Sequence, residues 1–443
     1  MNRMFVAATL VVASAWARAA IAQAGADTPD AHPRAGRDTT PLDAAWVVKR
    51  ALASSPEVHQ ARALIEASAG RRATAAVVLP SNPTLAASLS ARHRPPPEPV
   101  DVWNWGVTLS QELELAGQRG ARIDVADADA LAITRRLAVA EQEVAAAALV
   151  AYYDAIAARE AHRFAVELTK TSDALAALAE GRAREALLAG VEADVARAEA
   201  SRIGLLRFEG ERRVEETEAA LAALLDLDER RLVLPDALAV PVAALPAGPL
   251  VEQALRLRGE VAAAEAERQV LERRLALVRR ERVPNPTVSL FAERGEINDR
   301  VLGVGLAFPL PLPAPVGRTR AGELAEALAQ IRAAESSTEL VRRRVRVEVA
   351  RAEATFKART AGATLFAPDL LARGRADLAA LREALASRQL SLREALAWQR
   401  TLIELLQGDI QVRLERALAW VDLRRVVGLP LATTTTTNTG GTP

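Results

Sequence analysis

Between Trp103 and Ala121 the chain changes its hydrophobic period. Trp103, Trp105, Val107, Leu109, Leu113 and Leu115 fall on odd positions, and Asn104, Gly106, Thr108, Ser110, Glu112 and Glu114 fall between them; Gln111 alone breaks the odd face. Alternation of period two predicts a strand with one oily and one wet face. Past Gly117 the alternation ends. Ala, Leu, Arg and Glu then dominate, with no proline before Pro235. A strand therefore feeds directly into a very long helix.

Upstream, Pro41–Leu79 reads as one helix with an interrupted apolar stripe, ended by the breaker cluster Pro80-Ser81-Asn82-Pro83. Thr84–Arg92 alternates again, and the proline-rich stretch His93–Asp101 joins it to the first strand described, which predicts a β-hairpin. A helix from Gln118 to Leu188 is roughly 105 Å long at 1.5 Å per residue. Apolar residues seven apart, Leu137 and Val144 or Leu168 and Leu175, suit coiled-coil-like packing. The chain is expected to turn at Ala189-Gly190 and to return as Val191–Leu227, with Pro235, Pro241, Pro246 and Pro249 marking a linker.

The pattern then recurs. Ala51-Leu52, Glu57-Val58 and Asn82-Pro83-Thr84 reappear as Ala254-Leu255, Glu260-Val261 and Asn285-Pro286-Thr287 at one constant offset (287 − 84 = 203). Val288, Leu290 and Ala292 alternate with Ser289 and Glu293, Phe291 breaking the polar face; Leu302, Val304, Leu306, Phe308, Leu310 and Leu312 follow as the apolar face of a fourth strand. Gly303-Val304 and Leu306 repeat Gly106-Val107 and Leu109 at a second offset (303 − 106 = 197). A helix from Arg318 to about Arg388 is expected, kinked or interrupted at Pro368, and a final one spans Ser391–Val427.

The fold class predicted is mainly α with a small β part, built from a duplicated unit of helix, β-hairpin and long helical hairpin. The segments are a signal peptide over 1–22 and a flexible lead-in over 23–40. A first repeat over 41–230 carries strands near 84–92 and 102–115, and a linker covers 231–248. A second repeat over 249–430 carries strands near 286–293 and 301–312, before a disordered tail over 431–443. The apolar strand face comprises Trp103, Trp105, Val107 and Leu109, then Leu302, Val304, Leu306 and Phe308.

Composition narrows the classes. Half of the residues are apolar but only 3% are aromatic, which suits long, closely packed helices better than a compact globule. Net charge is +1, so no nucleic-acid surface is implied, and the absence of cysteine excludes disulfides and thiolate sites. The apolar run Met4–Trp16 behind Arg3, with Ala20 and Ala22 at signal-peptidase spacing, predicts export and cleavage; no cysteine follows to carry an N-terminal lipid. No run of eighteen apolar residues exists, so any membrane crossing falls to strands. Gly303-Val304-Gly305 lies within a strand and is no phosphate loop. His32, His59, His93 and His162 are scattered, and no catalytic, metal or cofactor constellation appears. The chain is read as a non-enzyme.

Each strand of about ten residues is near 33 Å long and, tilted, matches an outer-membrane apolar band. The alternation alone equally suits hairpins half-buried on soluble helices. Four strands cannot close a barrel, which needs about eight, and open edges are not tolerated in lipid. In a membrane, several chains would have to share one barrel.

Helix, Asn-Pro, hairpin and long helical hairpin, twice over behind a signal peptide, resemble the TolC-like outer-membrane efflux proteins across about residues 41–430. Gln111-Glu112-Leu113-Glu114-Leu115-Ala116-Gly117-Gln118-Arg119 further resembles the CzcC-like heavy-metal-efflux branch. The resemblance implies a homotrimer whose strands make one twelve-stranded barrel in outer-membrane lipid, continued by an α-helical periplasmic barrel. It also implies a periplasmic adaptor (membrane fusion protein) and an inner-membrane pump, of the resistance-nodulation-division type, as partners. The cargo implied is heavy-metal cations, with drug or protein export as alternatives in the same fold. The family's periplasmic turns match Gly190 and Val191 in the first half and Arg388, Leu390 and Ser391 in the second, Arg388 standing where glycine is usual. Asp194 and Glu394, with Arg197 and Arg393 close by, are candidate aperture charges; the same acids also suit ordinary helix starts. A soluble periplasmic helical-hairpin adaptor or scaffold is the competing reading, and it leaves four amphipathic strands unexplained.

Overall fold

The computed structural model describes residues 42–93, 101–228, 232–239, 248–294, 299–312, 315–317, 319–387 and 389–431. The signal-peptide, lead-in and tail readings, with Arg388 and Arg318, lie outside the described residues. In chain order the elements are α1 (Ala44–Ser54), α2 (Pro56–Ala75), β1 (Thr84–His93), β2 (Asp101–Glu112), α3 (Gln118–Arg184) and α4 (Gly190–Leu225). The second half supplies α5 (Leu250–Leu257), α6 (Gly259–Arg280), β3 (Thr287–Arg294), β4 (Arg300–Ala307), α7 (Ala321–Ala363), α8 (Pro368–Ala386) and α9 (Leu392–Val427).

The single helix expected over 41–79 is two. Ser55 is extended (φ −64°, ψ 123°), accepts from the Val58 amide at 3.3 Å, and precedes Pro56 at the start of α2. Proline cannot donate and pushes the residue before it out of helix. The second half breaks at Arg258, with φ −70° and ψ 127°, between α5 and α6. That break lies 203 residues on (258 − 55), the offset of the sequence repeat.

The strands also end earlier than the alternation suggests. β2 stops at Glu112, after which the Leu113 amide donates to the Pro286 carbonyl at 2.9 Å. β4 stops at Ala307, leaving Phe308, Leu310 and Leu312 outside the ladder and exposed. Alternation persists there, but Pro309 and Pro311 carry no amide hydrogen, and Ala307 is the last residue with a partner on β3. Pro368 does interrupt the last long region: α7 ends at Ala363 and α8 begins on the proline.

α3, with 67 residues, is about 100 Å long. It packs against α4, α6, α2 and α9. Its middle forms the main core, where Leu149, Tyr152 and Ile156 meet Val47 of α1, Leu221 of α4 and Trp420 of α9. Leu232, Leu234 and Leu238 of the connection between the halves are buried in the same core. Arg413 of α9 fixes that connection: it donates to both Glu160 carboxylate oxygens (3.1 and 2.6 Å), to Asp409 (2.8 Å) and to the Leu238 carbonyl (3.2 Å). The Leu238 amide in turn donates to Glu160 at 3.0 Å.

Candidate functional site

The four strands form one antiparallel sheet in the order β1-β2-β3-β4, so β1 and β4 are open edges. Registers place Leu89 opposite Trp105, Val107 opposite Ala87 and Ala292, and Leu290 opposite Leu109 and Val304. Because side chains alternate, these rows build one continuous apolar face across all four strands. Trp103, Trp105, Val107, Leu109, Leu302, Val304 and Leu306 all belong to it and are exposed, Leu302 to 84%. Phe308, assigned to the same face, lies one residue beyond β4 and is exposed as well.

The other face is polar: Thr84, Ser110, Ser289 and Gly305 form one row, and Ser88, Gly106 and Glu293 contribute to another. Phe291, the residue that breaks its polarity, lies directly opposite Gly303, and its ring occupies the space a side chain there would need. The aromatic thus covers a backbone that glycine leaves bare.

Where the sheet becomes helix, the two halves are tied by side chains. Gln118, only 2% exposed, donates through Nε2 to Asn285 Oδ1 at 2.9 Å and accepts from the Ala116 amide, also at 2.9 Å. Asn285 Nδ2 donates to Glu112 Oε1 at 2.8 Å. Arg280 donates to the Ala116 carbonyl at 3.0 Å, beside Gly117, whose φ of +71° is a left-handed conformation. Arg122 pairs with Glu114 below them. Periodicity does not reveal this clamp. Its trace in the sequence is the recurring Asn-Pro and the polar run from Glu112 to Arg119.

The first helical turn lies between α3 and α4, and Ala186 in it takes the left-handed conformation, at φ 54°. Gly190 is simply the first residue of α4, behind Ala189, which offers no side-chain cap. In the second, Ser391 caps α9 and forms a reciprocal capping box with Glu394: the Ser391 amide donates to Glu394 Oε2 at 2.9 Å, and the Glu394 amide to Ser391 Oγ at 3.3 Å. Hydrogen bonds from the Ser391 side chain, then from its backbone, hold the Glu394 carboxyl below the usual carboxylate range.

The caps lie 202 residues apart (391 − 189), so Glu394 corresponds structurally to Glu192, and Asp194 to Leu396. Asp194 and Glu394 therefore do not occupy equivalent places after the two turns. Asp194, Arg197, Arg393 and Glu394 are all exposed. No hydrogen bond or ion pair joins any of these four to another; Arg197 faces Glu180 at 3.9 Å. Val191 is 74% exposed. Leu390 packs on Leu168, Ile203 and Ile403, and Leu392 is buried among Leu175, Ala179, Ala193 and Ala200. α3 continues past these contacts to Arg184.

Among the described residues, no cluster of three or more His, Asp or Glu could hold a metal ion, and no helix is long and apolar enough to cross a membrane. Residues 47–226 match the family described as Outer membrane efflux protein. No curated protein sequence matches the chain. Among solved structures, the outer-membrane channel OprN superposes with a TM-score of 0.72 at 19% identity, covering 89% of this chain and 94% of its own. CusC, described for its folding and transmembrane channel formation, gives 0.72 at 17% identity, with 90% and 96% covered. The outer membrane protein VceC from Vibrio cholerae gives 0.68 at 17%, with 88% and 99% covered. Residues 47–226 thus resemble the outer membrane efflux protein family, and along most of its length the chain has the fold of these solved outer-membrane channels.

Proposed function

We propose that the chain is the outer-membrane conduit of a tripartite efflux system. Three copies share one twelve-stranded barrel, and their helices continue it as a periplasmic tunnel. The observation that carries this reading is the sheet itself. Its apolar face is exposed, its opposite face is polar, both edges are open, and it leads directly into helices about 100 Å long. Such a sheet is stable in lipid only when its edges are closed by further strands. Residues 1–22 act as a cleaved export signal in this reading.

The helical turns around Gly190–Val191 and Leu390–Ser391 face the periplasmic adaptor, through which an inner-membrane pump delivers cargo. The resemblance of Gln111–Arg119 to the heavy-metal branch favours metal cations, carried as cargo through a water-filled passage and not held by a resident site. Recovery of a heat-modifiable trimer from the outer-membrane fraction, with stepwise conductance in planar bilayers, is the expected result. A monomer in mild detergent without channel activity would overturn the conduit. Sensitivity of a deletion strain to divalent metals, but not to hydrophobic drugs, tests the cargo separately.

A further inference from the structure

The two offsets of the sequence repeat reproduce a strand register. Moving β1 forward by 203 residues and β2 by 197 turns the pair Thr84–Ser110 into Thr287–Ala307, and Leu89–Trp105 into Ala292–Leu302. Both resulting pairs are the ones found between β3 and β4. The repeat is thus a pseudo-symmetry of the sheet down to single residues. One seam remains without a counterpart inside the chain. β2 pairs with β3, but their equivalents, β4 and β1, are the two open edges.

Resting on the shared-barrel reading above, we infer that β4 of one copy pairs antiparallel with β1 of the next in one fixed register. Val107–Ala292 maps onto Val304 opposite Leu89 of the partner subunit, and Leu109–Leu290 onto Leu306 opposite Ala87 of the partner subunit. Ser110–Ser289 maps onto Ala307 opposite Ala86 of the partner subunit, and Gln111–Val288 onto Phe308 opposite Leu85 of the partner subunit. Apolar residues then meet apolar residues along the outer face. In this register β4 gains one further pair, at Phe308, beyond Ala307, its last residue with a partner on β3. This seam lacks the polar clamp of the inner one: Glu112, which holds Asn285, maps onto Pro309, which can hold nothing. The seam between copies is therefore closed by backbone and apolar contacts alone.

The chain has no cysteine, so paired cysteines report the register directly. Directly opposed residues have Cα atoms about 4.5–5.5 Å apart, and a slip of two residues raises this to about 8 Å, too far for a disulfide. Ala307→Cys with Ala86→Cys on the polar face, and Leu306→Cys with Ala87→Cys on the apolar face, are oxidised in the full-length protein in detergent. The ladder of covalent dimer and trimer is read on denaturing gels. Matched pairs are expected to give about tenfold more covalent product than Ala307→Cys with Ser88→Cys or Thr84→Cys. Equal or greater linkage of the shifted pairs overturns the register. A native trimer with no linkage in any combination overturns edge pairing while leaving the trimer standing. A monomer overturns both.

Discussion

Gln118 Nε2 donates to Asn285 Oδ1 across 167 residues of sequence, at 2.9 Å, from a buried side chain to a half-buried one. One residue opens the first long helix and the other introduces the third strand. Their hydrogen bond joins the two halves where sheet becomes helix.

Removing that contact leaves buried polar atoms without partners. Gln118→Ala or Asn285→Ala is expected to lower stability by about 1–3 kcal/mol, because an orphaned buried group loses its full solvation. The double variant should cost less than the two single ones together, since the second change removes the group that the first stranded. Thermal dissociation of the detergent-solubilised protein measures both terms. Additive losses would mean that the two side chains do not act as a pair.

Part of this architecture is legible in the sequence. Trp103–Glu112 declares itself by alternation, and Asn82-Pro83-Thr84 against Asn285-Pro286-Thr287 declares the duplication, because both are patterns within one strand or one offset. Periodicity reports which face of an element is oily and says nothing of what lies opposite a polar residue. Gln118, Asn285 and Glu112 were invisible as a group for that reason. The alternation through Phe308, Leu310 and Leu312 outran the strand because hydrogen bonds, not hydropathy, end a ladder. The break at Ser55-Pro56 was legible through proline chemistry, but the apolar stripe that runs across it masks it.

The strand faces predict opposite responses to charge. Leu109→Arg or Val304→Arg places a guanidinium on the apolar face and should cost about 2–4 kcal/mol near the bilayer midplane, less toward an interface. Thr108→Arg lies on the polar face and should be tolerated. Yield of folded, heat-modifiable protein from membranes separates the two. Similar defects from Leu109 and Thr108 would contradict the facial assignment.

Glu160 and Arg413 predict an acid limit for the core. Burial alone would raise the Glu160 carboxyl, but hydrogen bonds from Arg413 and the Leu238 amide, and the charges of Arg413 and Arg163, hold it below its ordinary range. A carboxylate depressed in the folded state contributes stability above its unfolded value, near 4.5, and loses it as pH falls through the folded value. Glu160→Gln should therefore be less stable at neutral pH, by about 1.5–3 kcal/mol for bonds to a charged group. The difference should close in acid. A gap between variant and wild type that is independent of pH would remove this role.

The helical turns separate capping from gating. Glu394 is engaged in its capping box with Ser391, and its carboxyl is held low by those bonds, so its contribution to helix stability is present above pH 4.5 and lost in acid. Glu394→Gln should reduce thermal stability at neutral pH and leave channel conductance unchanged. Asp194 sits five residues into α4, past the capping positions and exposed. Should three copies line an aperture there, Asp194→Asn should change conductance or cation preference while leaving stability where it was, since the residue caps nothing. Single-channel recordings and melting curves on the two variants form a crossed test. Altered conductance from Glu394→Gln, or a stability loss from Asp194→Asn with conductance intact, would reverse the assignment of the two acids.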